Sequence, residues 1–312
     1  MSAWKRAGVS LAAVAVIAGV AGCQDGDGDK AGSGKKAAGA GRQVQTRDEM
    51  TKVIQAAYKK TSAADSAKVK MTLDMKMPEA PADAGTMEMT GIQSWNPAAM
   101  DITMTGSALA AGGPGAPKES RMIMLDQVMY VDMGAKQAAE MDGKRWMKLD
   151  LKAAAEASGD PAMQKQMTGG LENMNQDPAR QLALLLESPN LKHVGSEKID
   201  GGQTEHYKGT LTFEQMLDAN KQSELLSAKE REQLVAGMKK AGMKGYDTEV
   251  WVNQDGYPAR MVVDMKMAKG SMHMRADYTD YGAKATVQAP PAKDTFDLFE
   301  MLKGLKGGAA QG

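Results

Sequence analysis

Cysteine is nearly absent from this chain of 312 residues: Cys23 is the only one. That excludes an intramolecular disulfide and any metal site built wholly from thiolates. Phenylalanine is almost as scarce, with three residues, and aromatic side chains make up 4% of the whole. Net charge is lacking too, because 39 basic residues balance 39 acidic ones. Without clustered positive charge there is no electrostatic basis for nucleic-acid binding. Missing as well are HExxH, a glycine-rich phosphate loop and G-x-S-x-G. The three histidines, His193, His206 and His273, lie in strand-like sequence, where they read as surface or inter-strand groups. Asp277 and Asp280 in RADYTDYG read as surface acids. Nothing in the chain calls for a cofactor, and the expectation is a protein that is not an enzyme. What the chain does hold in unusual number is methionine, with 27.

Residues 1–22 read MSAWKRAGVSLAAVAVIAGVAG. Lys5 and Arg6 precede an uncharged apolar stretch, the pattern of a secretory leader. That stretch is too short and alanine-rich to be preferred as a permanent membrane span. It ends in Val20-Ala21-Gly22-Cys23, which resembles the bacterial lipobox. There the nucleophilic sulfur takes a diacylglyceryl group and the chain is cut before it. Lipid attachment is expected at Cys23 and cleavage after Gly22, leaving the mature protein on the extracytoplasmic face of the cell membrane. Residues 23–44 contain no apolar cluster and read as a flexible tether with a reach of ~25 Å. One domain is expected over 45–305, with a disordered tail at 306–312.

The opening of that domain is helical. Thr46 and Glu49 have capping-box spacing, and Met50, Val53, Ile54, Ala57 and Tyr58 form one stripe. The period then switches to two: Val69, Met71, Leu73, Met75 and Met77 alternate with Lys70, Thr72, Asp74 and Lys76. Strand character returns in GTMEMTG, DITMTG, RMIMLDQVMYVDM and RWMKLDL, and later in LKHVGSEKID and TEHYKGTLT. Two further hairpins, turning at Gln254-Asp255-Gly256 and Lys269-Gly270, and a last strand AKATVQAP complete the pattern. Helices are expected after Asp160-Pro161, with Met163, Met167, Leu171 and Met174 on one side. Others should follow Asp177-Pro178, Thr212 and Ser227, the last with Leu234, Val235 and Met238 inward. Repeated alternation with short turns implies an α+β fold: an antiparallel sheet with one polar face, and helices as its cover.

The methionines fall mostly on the apolar strand faces. Methionine is unbranched and polarizable and adapts to changing neighbours, whereas a core that needs only stability does better with Ile, Val and Phe. One reading is a concave apolar surface for flexible guests such as acyl chains. The other is an ordinary filled core in which methionine replaces scarcer residues. A third, less favoured, is Cu(I) on the Met-x-Met pairs 75/77, 87/89, 122/124, 265/267 and 272/274, since thioethers are soft ligands. His273 would then point away from its flanking methionines, and no metal is assigned.

In order along the chain, the VAGC lipobox, the helix before SAKVKMTLDMKM, MYVDM with GKRWMKLDL, VGSEKIDGGQTEHYKGTLT, VWVNQDGYPARM and DYTDYGAKATVQAP resemble the actinobacterial LppX/LprAFG cell-envelope lipoproteins, related in fold to LolA and LolB. The resemblance covers nearly all of 45–290. It implies a strongly curved antiparallel half-barrel, with helices across its concave face enclosing an apolar cavity. It also implies a non-catalytic role in binding or carrying a lipid, lipoglycan or other acylated ligand. Cavity-facing positions would be Met71, Leu73, Met75, Met87, Met89, Ile102, Met104, Trp251, Met265 and Met267. The alternative is a structural or protein-interaction lipoprotein with a filled core.

Overall fold

The computed structural model describes residues 45–77, 85–112, 116–150, 152–153, 177–219, 228–243, 245–284 and 286–301. The lipobox, the tether and the expected helix after Asp160 lie outside them. Helix α1 (Arg47–Ala64) begins with the expected capping box, Thr46 and Glu49 each accepting from the other's backbone N–H. Together they satisfy two orphan donors of the first turn. Six strands follow: β1 (Ser66–Lys76), β2 (Thr86–Trp95), β3 (Ala98–Thr105), β4 (Glu119–Leu125), β5 (Val128–Asp132) and β6 (Trp146–Asp150), with a short helix α2 (Gly134–Glu140) before the last.

Asp177 caps helix α3 (Pro178–Leu186) by accepting from Ala179 N–H at 2.8 Å. Next come β7 (Lys192–Ile199), β8 (Gly202–Thr212), α4 (Phe213–Ala219) and α5 (Ala228–Lys240). Helix α4 starts with a reciprocal pair, Thr212 N–H to Gln215 Oε1 and Gln215 N–H to Thr212 Oγ1. On α5, Leu234 is exposed, against the expectation that it faces inward. Strands β9 (Gly245–Asn253), β10 (Pro258–Met267) and β11 (Gly270–Thr279) follow, and the short β12 (Thr295–Asp297) ends the described sheet.

All twelve strands form one sheet in the order β12-β6-β5-β4-β3-β2-β1-β11-β10-β9-β8-β7. It consists of two antiparallel meanders, β1–β6 and β7–β11, joined where β1 pairs with β11. Strand β12 lies parallel to β6, so the sheet is mixed.

This corrects the expected half-barrel. The sheet is open and not strongly curved, and its outermost strands, β12 and β7, do not meet. Period-2 alternation fixes which way each side chain points, whereas closure depends on tilt and stagger accumulated over many strands. The stretch RMIMLDQVMYVDM is also divided, into β4 and β5, by a turn at Asp126-Gln127. AKATVQAP forms no strand among its described residues.

Helices α1 and α3 pack together on one part of the sheet. Met50, Ile54 and Ala57 of α1 and Leu182 and Leu185 of α3 form a buried cluster with Tyr207, Val250, Val252 and Met261. Ile54, Leu182 and Leu185 have no exposed surface. Gly209 on β8 permits the approach of the end of α3: a Cβ there would lie 2.6 Å from Ser188 Oγ and 2.8 Å from Leu185 Cδ1.

Candidate functional site

Residues directly opposite in antiparallel register share a face, and here the methionines line up in rows. One row runs Val250, Met261, Ala276, Met71, Met89, Met104 across β9, β10, β11, β1, β2 and β3. A second runs Val263, Met274, Leu73, Met87, and a third Tyr246, Met265, Met272, Met75. Ile102 follows Val69 and Gly91 in a fourth, beside Met122. Met267 faces Gly270 at the β10–β11 turn, on the same side. Nine of the ten sequence-derived lining positions, Trp251 excepted, therefore share the face on which α1 and α3 pack.

Burial varies along that face. Val69, Met100, Ile102, Met124 and Ala276 are buried and form a cluster. Met71, Met89, Met104 and Met122 are half-buried and pack against it. Leu211, Tyr246 and Val263 make a third cluster, with Met265 and Met274 at its margin. Burial pushes the Tyr246 hydroxyl up to about 12 and the Tyr278 hydroxyl well above its ordinary value. Such an environment rejects charge and accepts hydrocarbon.

Trp251 lies on the opposite face. Its register partners are His206 and Arg260. It stacks on His206 with ring centroids 4.0 Å apart, and its Nε1–H donates to Glu197 at 3.2 Å. The two ring nitrogens of His206 lie 2.8 Å from a Glu197 carboxylate oxygen and 2.7 Å from a Glu249 one. Burial raises the Glu197 carboxyl, but the hydrogen bonds from Trp251 and His206 outweigh it and hold the group below the usual carboxylate range. Lys208 binds the other Glu249 oxygen at 2.5 Å. Sequence reading placed His206 toward solvent or a neighbouring strand. Its carboxylate partners, from β7 and β9, carry no local signal.

His193 pairs with Glu205 at 2.6 Å. His273 is exposed and bonds Asp264 at 2.8 Å, away from Met272 and Met274, as alternation requires. Among the described residues no group of three or more His, Cys, Asp or Glu is placed to hold a metal. Nor is any described helix long and apolar enough to cross a membrane.

No family model matches the chain. It is 31% identical over 267 residues to an uncharacterized 31.2 kDa protein of Streptomyces griseus, covering 81% of this chain and 80% of that protein. It is 24% identical over 225 residues to a putative lipoprotein of Streptomyces coelicolor, covering 70% of this chain and 66% of that one. Among solved structures, the Mycobacterium tuberculosis lipoprotein LppX superposes with a TM-score of 0.44 and 14% identity, over 78% of this chain and all of that one. LprF of Mycobacterium bovis superposes with a TM-score of 0.42 and 14% identity, over 78% of this chain and 98% of that one. Both are members of the LppX/LprAFG group that the sequence resembles. At these scores the likeness says nothing of what either chain binds.

Proposed function

The chain belongs to the family of the 31.2 kDa Streptomyces griseus protein, and from that premise we propose that it is a lipid-anchored envelope protein that binds or carries a lipid or another apolar molecule without covalent chemistry. Cys23, acylated after cleavage behind Gly22, would hold it on the extracytoplasmic face of the membrane. Two acyl chains anchor durably where one is marginal.

The observation that carries the reading is the set of methionine rows. Half-buried, unbranched side chains from six strands lie side by side on the face where the helices pack. They can rearrange around a flexible hydrocarbon without breaking a rigid jigsaw. Each acyl CH₂ withdrawn from water contributes ~0.8 kcal/mol. Met71, Leu73, Met75, Met87, Met89, Ile102, Met104, Met265 and Met267 are the proposed lining.

Tight burial of Ile102, Met124 and Ala276 favours a second reading, a structural or protein-interaction lipoprotein whose core is filled by its own side chains. Native mass spectrometry of protein purified from its own host, followed by organic extraction, separates the two. The carrier reading expects near-stoichiometric lipid, and a fluorescent fatty acid taken up by wild type but rejected by Met89→Glu. A lipid-free protein that takes up no fatty acid overturns it. Cys23→Ala should release the protein from membranes in either case.

A further inference from the structure

The face turned away from the methionines is recessed. A cavity of about 950 Å³ opens on it, floored by outward-facing residues of β1, β2, β3, β4 and β11. Register sets Lys70, Thr90 and Thr103 in one row and Thr72 with Glu88 in the next. The segment leaving β11 supplies a wall. Gly282 N–H donates to Ser66 O at 2.9 Å, Ser66 Oγ donates to Ala283 O at 2.5 Å, and Lys284 and Thr286 border the cavity.

The charged groups of the floor are fixed in place. Arg121 grips Asp101 through Nε and Nη2 at 2.7 and 2.6 Å. Asp277 receives Arg260 at 2.5 Å and Arg275 at 2.9 Å. The Asp101 and Asp277 side chains are only 20% and 16% exposed. Beside these two clamps lie further polar side chains of the floor. Lys70 and Glu88 stand diagonally across β1 and β2, and Thr90 and Thr103 bring hydroxyls that both donate and accept.

The chemistry of the floor selects its ligand class. Five basic and four acidic side chains line the cavity, so neither sign dominates. An anion meets Glu88 and the clamped aspartates, a cation meets Lys70 and the guanidinium groups, and a purely hydrocarbon guest would cover these charges without pairing them. A neutral molecule with many hydroxyls, each a donor and an acceptor, satisfies Lys70, Glu88 and the threonines together. The volume is at the upper end of the ~300–1,000 Å³ typical of ligand sites, which suits several linked rings. We propose that this recess binds a neutral oligosaccharide, such as a stretch of envelope polysaccharide. It stands apart from the apolar face, across the thickness of the sheet, and does not depend on lipid being bound there.

The test is amide NMR of the whole mature chain titrated with chitotetraose, mannotetraose and maltotetraose, with inorganic phosphate and spermidine as charged comparators. At least one sugar should bind with millimolar affinity or better and shift the amides of Thr90 and Thr103. The pair Thr90→Val and Thr103→Val should weaken that binding about tenfold or more, since each substitution removes a hydroxyl that donates and accepts. Leu234→Ala, at an exposed position of α5 outside this lining, should leave it unchanged. Glu88→Gln provides a second variant if the valine pair alters the circular dichroism spectrum, and it too should weaken binding. The proposal is overturned if no sugar shifts these amides at about 10 mM, if phosphate or spermidine binds there instead, or if folded variants bind as wild type does.

Discussion

A single phenol shows how the apolar face makes itself felt in solution. Tyr246 is buried beside Leu211 and Val263, and its hydroxyl is pushed up to about 12 by burial. An unfolded tyrosine ionises near 10. Between about pH 10 and 12 the unfolded chain has therefore lost a proton that the folded one keeps, so stability falls as pH rises through that window. Tyr278 and Tyr281, also raised by burial, act with the same sign from about pH 10 upward, so they share this fall. Tyr246→Phe should flatten the fall between pH 10 and 12, read from urea midpoints by far-ultraviolet circular dichroism. The sequence gives this residue no special mark. GYDTEVWV shows that Tyr246, Thr248 and Val250 share a side, and that side is the apolar one. The same alternation puts Trp251 on the other side, which the resemblance-derived lining overlooked. His206 was less legible. Its two carboxylate partners sit nine and 43 residues away, and only the assembled ladder brings them to one imidazole.

At the level of elements, the capping boxes and the glycine turns were readable because each is a local bargain between a side chain and nearby backbone. The β4–β5 hairpin was not. Its turn residues, Asp126 and Gln127, have φ of 53° and 66° without a glycine to mark them. Two positive φ angles are what a tight two-residue hairpin asks of its centre. Gln127→Gly should relieve the mismatch and add about 0.5–1 kcal/mol of stability, measured by denaturant unfolding. The opposite holds at Gly209, where a methyl group would collide with Ser188 and Leu185. Gly209→Ala should push α3 from the sheet and cost about 1–3 kcal/mol. Its melting temperature would fall, and amide exchange in α3 would quicken. Strand β12 escaped notice for a different reason. Three residues, Thr295 to Asp297, are too few to display any period, and their partner is distant in sequence: Lys148 lies opposite Asp297 and binds it at 3.0 Å.

For the molecule as a whole, period and turns made an antiparallel sheet legible, but not its openness. An open sheet has to manage its edges. Strand β12 covers β6, and β7 carries charged side chains at Lys192, Glu197 and Lys198 along the other border. A chain ending at Asp294 should leave β6 bare and associate as its concentration rises, visible by sedimentation velocity. Full-length protein at the same concentrations should not.

The pairing of β1 with β11 also has a temporal consequence. A polypeptide is made amino end first. Its opening strand can zip to β2 at once, but its other flank stays bare until nearly the entire chain has followed. The first meander must therefore wait, half-finished, with its methionines uncovered. Chaperones that shield such surfaces would matter most for this protein in that interval, and the final docking of the two ladders would close it.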